Sequence, residues 1–177
     1  RELIEEIERA EKSGEQDIIA SIIPVKGFEE FSSEVEKHLN ALNFPNGGRV
    51  TFSESDWDIV ISGRRRTSHG KGVRAITHAA FSLVLLSYCL RLKMPHPNFV
   101  IIDSPLVVYR EPDTDDSNMP LDVKNHFYKD IAISFVESQV IVLENEDPPK
   151  ELSESDACNL IIFTKASEGR YGFIPIV

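Results

Sequence analysis

The sequence predicts an α/β fold with a largely parallel sheet flanked by helices, and three observations predict it. From residue 73 onward the hydrophobic pattern runs helix, strand, helix, strand, strand, an order that feeds a parallel sheet. Phe99-Val100-Ile101-Ile102 and Val140-Ile141-Val142-Leu143 are short, wholly apolar runs, which suit strands buried on both faces. Upstream, Val50 and Phe52, then Trp57, Ile59 and Ile61, alternate with period two around Glu54-Ser55-Asp56, so a hairpin is expected over 50–53 and 57–62.

The chain begins Arg1-Glu2-Leu3-Ile4, without Met or a signal peptide, inside a helical pattern. Leu3, Ile7 and Ala10 have heptad-like spacing, which fits the end of a longer coiled coil or one surface helix. Ser13-Gly14 stops that pattern. Residues 15–25 are ambiguous, because Ile18, Ile19, Ile22 and Ile23 fit a helix yet are β-branched. Residues 1–25 are therefore set apart as a coiled-coil end and linker, and 26–177 as the domain proper. Phe28 to Phe44 reads as an amphipathic helix with Phe31, Val35, Leu39 and Leu42 on one face. Pro45-Asn46-Gly47-Gly48 breaks it. After the hairpin and a Gly-bearing loop comes a helix over Val73 to Leu92, ended by Pro95-His96-Pro97. The first apolar run ends at Asp103-Ser104-Pro105, before a loop carrying Glu111, Asp113, Asp115 and Asp116. A helix from Pro120 to Val136 leads to the second run, which stops at Glu144-Asn145. Leu160 to Phe163 is a third strand candidate.

Composition narrows the function classes. With 177 residues, 41% hydrophobic and 27% charged, the chain can bury a core and is neither collagen-like nor wholly disordered. Thr77, His78, Ser82 and Arg91 interrupt the longest apolar stretch, which argues against a membrane span. Two cysteines are too few for a disulfide framework, so a reducing cytoplasm is the expected home. A net charge of −10 argues against a general nucleic-acid coat.

Against that acidic total, Arg64, Arg65, Arg66, Lys71 and Arg74 cluster in a loop without a single acid, just where a helix opens. Free N–H groups and the positive end of a helix dipole make such a place an anion site, with phosphate the usual anion. It is not a P-loop: six residues separate Gly63 from Gly70, and Gly72 follows Lys71 where Ser or Thr would hold Mg²⁺. Asp103 ends an apolar strand, where the crevice of an α/β sheet binds ligands and where nucleotide enzymes place a Mg²⁺-orienting Asp. Glu144-Asn145 ends the next apolar strand, so neighbouring strands would bring both polar ends to one sheet edge. No His/Cys/Asp cluster has zinc spacing. Among the remaining residues, His78 is expected to be packed, His96 to shape a turn and Cys89 to be a buried hydrophobe, while His38 and His126 lie on predicted helices with no partner in view in the sequence.

Taken together, the hairpin, Ser-x-Gly loop, long helix, strand ending in Asp, acidic loop, helix and second polar-ended strand resemble a known family. The pattern over 26–147 is similar to the C-terminal half of an SMC-type head of the ATP-binding-cassette ATPases, in particular to bacterial coiled-coil relatives. Thr67-Ser68-His69-Gly70-Lys71 stands at the Leu-Ser-Gly-Gly signature, Phe99–Asp103 at Walker B, and Glu144-Asn145 at the switch position. The resemblance implies ATP and Mg²⁺ as cofactors and two heads sandwiching two ATP molecules. Ser68, Gly70, Lys71, Gly72 and Arg74 would face the phosphates bound by the partner head, Asp103 would orient Mg²⁺, and Asn145 would approach the γ-phosphate or the attacking water. The loop from Pro105 to Arg110 would lie at the dimer interface. It further implies a Walker A-bearing N-terminal half, a homodimer through the heads, and work in DNA maintenance, repair or anti-phage defence. DNA as a partner comes from the resemblance only, and no membrane is implied.

Three residues depart from the family pattern. His69 stands where Gly is usual, Asn145 where His is usual, and Ser104 where most members carry the catalytic Glu. A serine hydroxyl is too weakly basic to serve as general base near pH 7, which leaves Glu111 or Glu144 to substitute, or hydrolysis slow. Two other readings therefore stand beside the ATPase: a non-hydrolysing, ATP-gated dimerisation clamp, and a small α/β anion-binding module unrelated to ATP.

Overall fold

Phe31, Val35, Leu39 and Leu42 recur every three or four residues, and in the computed structural model all four are buried along one side of helix α1 (Val25–Ala41) and the turn after it. The structure describes residues 25–44, 48–106, 122–164 and 169–172. The expected coiled-coil end at Leu3, Ile7 and Ala10, the acidic loop with Glu111, and the interface loop beyond Leu106 lie outside these residues. α1 starts a little before the expected Phe28 and stops at Ala41, where Asn43 takes a left-handed φ of 55° and closes the helix end.

β1 (Val50–Ser53) and β2 (Asp58–Ile61) pair antiparallel from Val50↔Ile61 to Ser53↔Asp58, as the alternation predicts. Trp57 is not in the strand. The ladder closes at Ser53↔Asp58, so Glu54 to Trp57 form the turn, which Ser53 Oγ braces by donating to Asp56 Oδ2 at 2.9 Å. Trp57 has φ +49° there, half exposed, with its ring edge-on to the stacked pair Phe28 and Phe52. β3 (Arg64–Arg65) adds a third, two-residue strand to this sheet. The Val50 N–H donates to Glu36 Oε2 at 2.8 Å, which ties the sheet to α1.

A 3₁₀ turn (Arg66–Ser68) leads into α2 (Lys71–Arg91). α2 buries Ile76, Thr77, Ala79, Ala80, Leu83, Val84, Leu86 and Cys89. Thr77 can sit fully buried because its Oγ1 donates to the Val73 carbonyl at 2.7 Å, leaving no orphaned hydroxyl. By length and composition α2 could cross a membrane, yet it is a packing helix here, lying against α1 and β4. Phe31 meets Phe81 and Tyr88 edge-on, and Arg91 pairs with Glu34. Each such apolar side chain taken out of water contributes roughly 1.5–3 kcal/mol.

β4 (Phe99–Asp103), α3 (Asp122–Ser134) and β5 (Gln139–Leu143) complete a parallel unit, registered from Phe99↔Gln139 to Asp103↔Leu143. Val100, Ile102, Val140 and Val142 face the core that Val123, Phe127 and Tyr128 of α3 join. The expectation of burial on both faces is corrected: Phe99, Ile101 and Leu143 are 42%, 56% and 42% exposed. Period-two geometry turns them to the opposite face from Val100 and Ile102, and among the described residues no element covers it. The sheet is also not one largely parallel sheet. The described strands form an antiparallel three-stranded sheet and two separate parallel pairs, the second being β6 (Phe163–Thr164) with β7 (Arg170–Tyr171). Of the third apolar run only Phe163 is a strand residue, and Leu160, Ile161 and Ile162 are exposed, with no strand among the described residues pairing with them. The molecule is thus mixed α/β. A short helix, α4 (Lys150–Ser153), follows β5.

Candidate functional site

The parallel register sets the site. Because Asp103 pairs with Leu143, the residues that follow, Ser104 and Glu144-Asn145, leave the same edge of the sheet together. The ladder runs one step further, with the Ser104 N–H donating to the Leu143 carbonyl at 2.8 Å. Ser104 sits at φ +47°, a left-handed conformation that costs a non-glycine residue about 1–2 kcal/mol. Its hydroxyl donates to Asp103 Oδ1 at 2.9 Å and so fixes one oxygen of an otherwise exposed carboxylate.

Glu144 spans the edge. Its Oε1 accepts the Leu106 N–H at 2.8 Å, and its Oε2 accepts the Asn145 N–H at 3.3 Å. Beside it lies Tyr128, 7% exposed, whose hydroxyl is pushed up to about 12, first by burial and then by the negative charge of Glu144. Glu146 accepts from Lys124 Nζ at 2.9 Å, joining β5's tail to α3. The edge therefore gathers Asp103, Ser104, Glu144 and Asn145 as expected, and it adds the Leu106 amide, which no side-chain pattern could reveal.

Ser68, Gly70, Lys71, Gly72 and Arg74 form a second group, where the 3₁₀ turn leads into α2. Gly70 is the N-cap, with no side chain to satisfy the first amides, and Lys71 and Arg74 are exposed. Ser68 Oγ donates within its own turn, to the Arg65 carbonyl at 2.7 Å, and its carbonyl accepts from Arg64. Gly72 is buried in the helix.

The loop itself is free of acids, but its positive charge is partly cancelled by acids from the hairpin. Arg66 forks onto Asp58, with Nε at 2.9 and 3.1 Å from its two oxygens and a second nitrogen at 2.8 Å. Partial burial raises the Asp58 carboxyl, but the Arg66 hydrogen bond, the Ile59 N–H and the Arg66 charge outweigh it and hold the group below its usual range. Arg65 meets Asp56 at 3.1 Å. These four residues line a hollow of about 190 Å³ with Ser53 and Thr67. Asp56 and Asp58 lie outside the loop in sequence, so only the hairpin's return brings them to it.

Other expectations divide. His78 is exposed, not packed, because its position on α2 faces away from α1 and the core. The structure supplies the partner of His38: its Nδ1 is 2.9 Å from Asp130 Oδ2, an interaction across α1 and α3 that local sequence does not show. The His38 ring is edge-on to Phe135. His96 does shape its turn, its Nδ1 accepting the Asn98 N–H at 3.2 Å, and Cys89 is buried. Among the described residues no three His, Cys, Asp or Glu side chains gather to hold a metal. No protein-family model matches the chain, and no curated protein matches it.

Proposed function

We propose that the chain is the C-terminal lobe of an SMC-like ATPase head, which binds and hydrolyses ATP at a head-to-head dimer interface once joined to a Walker A-bearing N-terminal half. The observation that carries this reading is the Asp103↔Leu143 register, by which a parallel β–α–β unit aims an exposed Asp and a Glu-Asn pair from one edge. In this reading Asp103 would help hold Mg²⁺ beside the nucleotide phosphates. A lone exposed carboxylate suits that, since Mg²⁺ commonly keeps several waters and few protein ligands. Mg²⁺ would neutralise charge developing on the transferred phosphoryl group. Ser68, the Gly70 and Lys71 amides that open α2 and the exposed Lys71 and Arg74 charges would hold the partner head's γ-phosphate, whereas Gly72, buried in the helix, would serve only to pack that first turn. Asn145 donates a hydrogen bond to the γ-phosphate or orients water. Action on DNA and a cytoplasmic setting belong to the same proposal.

The test begins with the sequence upstream of Arg1, which must contain Gly-Lys-Ser/Thr. The complete protein should then associate on addition of ATP and Mg²⁺ and release phosphate. Asp103→Ala should lower turnover by about a hundredfold or more, the scale of losing a principal charge-stabilising group. Turnover unchanged by Asp103→Ala sinks the reading.

A second reading is favoured by one observation. Both Glu144 oxygens accept backbone amides, and Ser104 stands beside Asp103, so neither residue is poised as a base. ATP then drives association alone, and ATP-induced dimers without phosphate release are its mark.

A further inference from the structure

We infer that Glu144 is a positioning residue, a latch from the end of β5 that holds the turn presenting Asp103, and not the base that replaces the missing carboxylate. The inference deepens the ATPase-head reading and rests on it for its nucleotide consequence. Three contacts carry it. Glu144 Oε1 takes the Leu106 N–H at 2.8 Å, three residues beyond Asp103. The Ser104 N–H holds the Leu143 carbonyl, so the turn is pinned to β5 at its start as well as at Leu106. Between these pins Ser104 is in a left-handed conformation, and Pro105 is fully buried. A strained backbone persists only where its surroundings over-determine it, and here the two ties to β5 do so. The Ser104 hydroxyl that orients Asp103 Oδ1 rides on that backbone. Released from Glu144, the turn is free to relax towards a right-handed Ser104, which moves the hydroxyl off the carboxylate.

A latch and a base call for different chemistry from the same side chain. A base must keep a lone pair for a proton, and Gln has none of that basicity. A latch needs only an acceptor oxygen for Leu106, which Gln retains. Hence Glu144→Gln and Glu144→Ala separate the two roles.

Two measurements on these variants decide the matter. The first is amide hydrogen exchange in the chain itself, with α1 amides as the internal reference for folding. Glu144→Ala should speed Leu106 exchange by about tenfold or more, since a hydrogen bond to a charged acceptor is lost, while Glu144→Gln keeps most of the protection. The second is the Mg²⁺ concentration that half-saturates ATP-driven association of the complete protein. Glu144→Ala should raise it about tenfold, the usual scale for losing a residue that orients a metal ligand, and Glu144→Gln should restore it to within about threefold. Leu106 exchanging as fast in the wild type as in Glu144→Ala overturns the latch. So does a Glu144→Gln variant that keeps its Mg²⁺ requirement but loses phosphate release, because that is the behaviour of a base. A wild type that ignores ATP overturns the head reading instead, and the Leu106 exchange then judges the latch alone.

Discussion

The α1–hairpin–α2 region and the β4–α3–β5 unit are both built from apolar segments, yet they finish differently. In the first, α1 and α2 pack face to face and α1 covers β1, so Val35, Leu39, Ile59, Ile61 and Leu83 are all essentially inaccessible. Two of its loop charges are also met locally, Arg65 by Asp56 and Arg66 by Asp58. In the second, among the described residues, only one face of a two-stranded parallel ladder is covered, and its polar end is open, with Asp103 exposed. Parallel sheets ordinarily have cover on both faces. The difference teaches that hydrophobicity marks a strand but does not count its neighbours.

The largest effect should separate the two regions outright. Leu83→Ala removes a fully buried side chain and should cost about 2–5 kcal/mol in denaturant unfolding, whereas Ile101→Ala on the open face should change stability by less than about 0.5 kcal/mol. A loss at Ile101 as large as at Leu83 would break the comparison, since that face would then be covered in solution.

A smaller effect concerns the joint between the regions, where His38 of α1 meets Asp130 of α3. Burial raises the Asp130 carboxyl, but His38 and the Ser134 hydroxyl outweigh that and hold it below the usual carboxylate value. A carboxyl lowered by folding stabilises the protein above its unfolded value, near pH 3.8, and that stabilisation is lost as pH falls through the lower folded value. Melting temperature should therefore fall on acidification below about pH 4, and Asp130→Asn should flatten that limb relative to the wild type. Parallel acid limbs for the two proteins count against the coupling.

The smallest effect tests the site's strained turn. Ser104→Gly replaces a residue at φ +47° with one that adopts it freely, offset by the lost hydroxyl bond to Asp103. A net gain of about 0.5–1 kcal/mol in thermal or denaturant melts is expected. A loss of stability instead would mean that the hydroxyl outweighs the strain.

Much of the fold was legible where the signal is local. The alternation around Glu54–Asp56 found the hairpin, and Phe31, Val35, Leu39 and Leu42 found α1, because both periods reflect one buried side of one element. Trp57 misled, since an aromatic at the end of an alternating run looks the same in a strand and in its turn. The site was half legible. Asp103 and Glu144 stood out as polar ends of apolar strands, but the role of Glu144 depends on a backbone amide, and amides carry no sequence mark. His38 and Asp130 are far apart in the chain, and nothing local pairs them.

By itself the sequence determined the α/β composition, the parallel sense of β4 and β5, and the polar edge where they end, because apolar period and strand–helix–strand order fix these within one unit. Only the tertiary structure decided that Arg65 and Arg66 are spoken for by Asp56 and Asp58, that Phe99, Ile101 and Leu143 are left uncovered, and that Glu144 grips the Leu106 amide. These depend on which side chains the folded chain brings within about 3 Å of each other, and hydrogen bonds and ion pairs act only at that range.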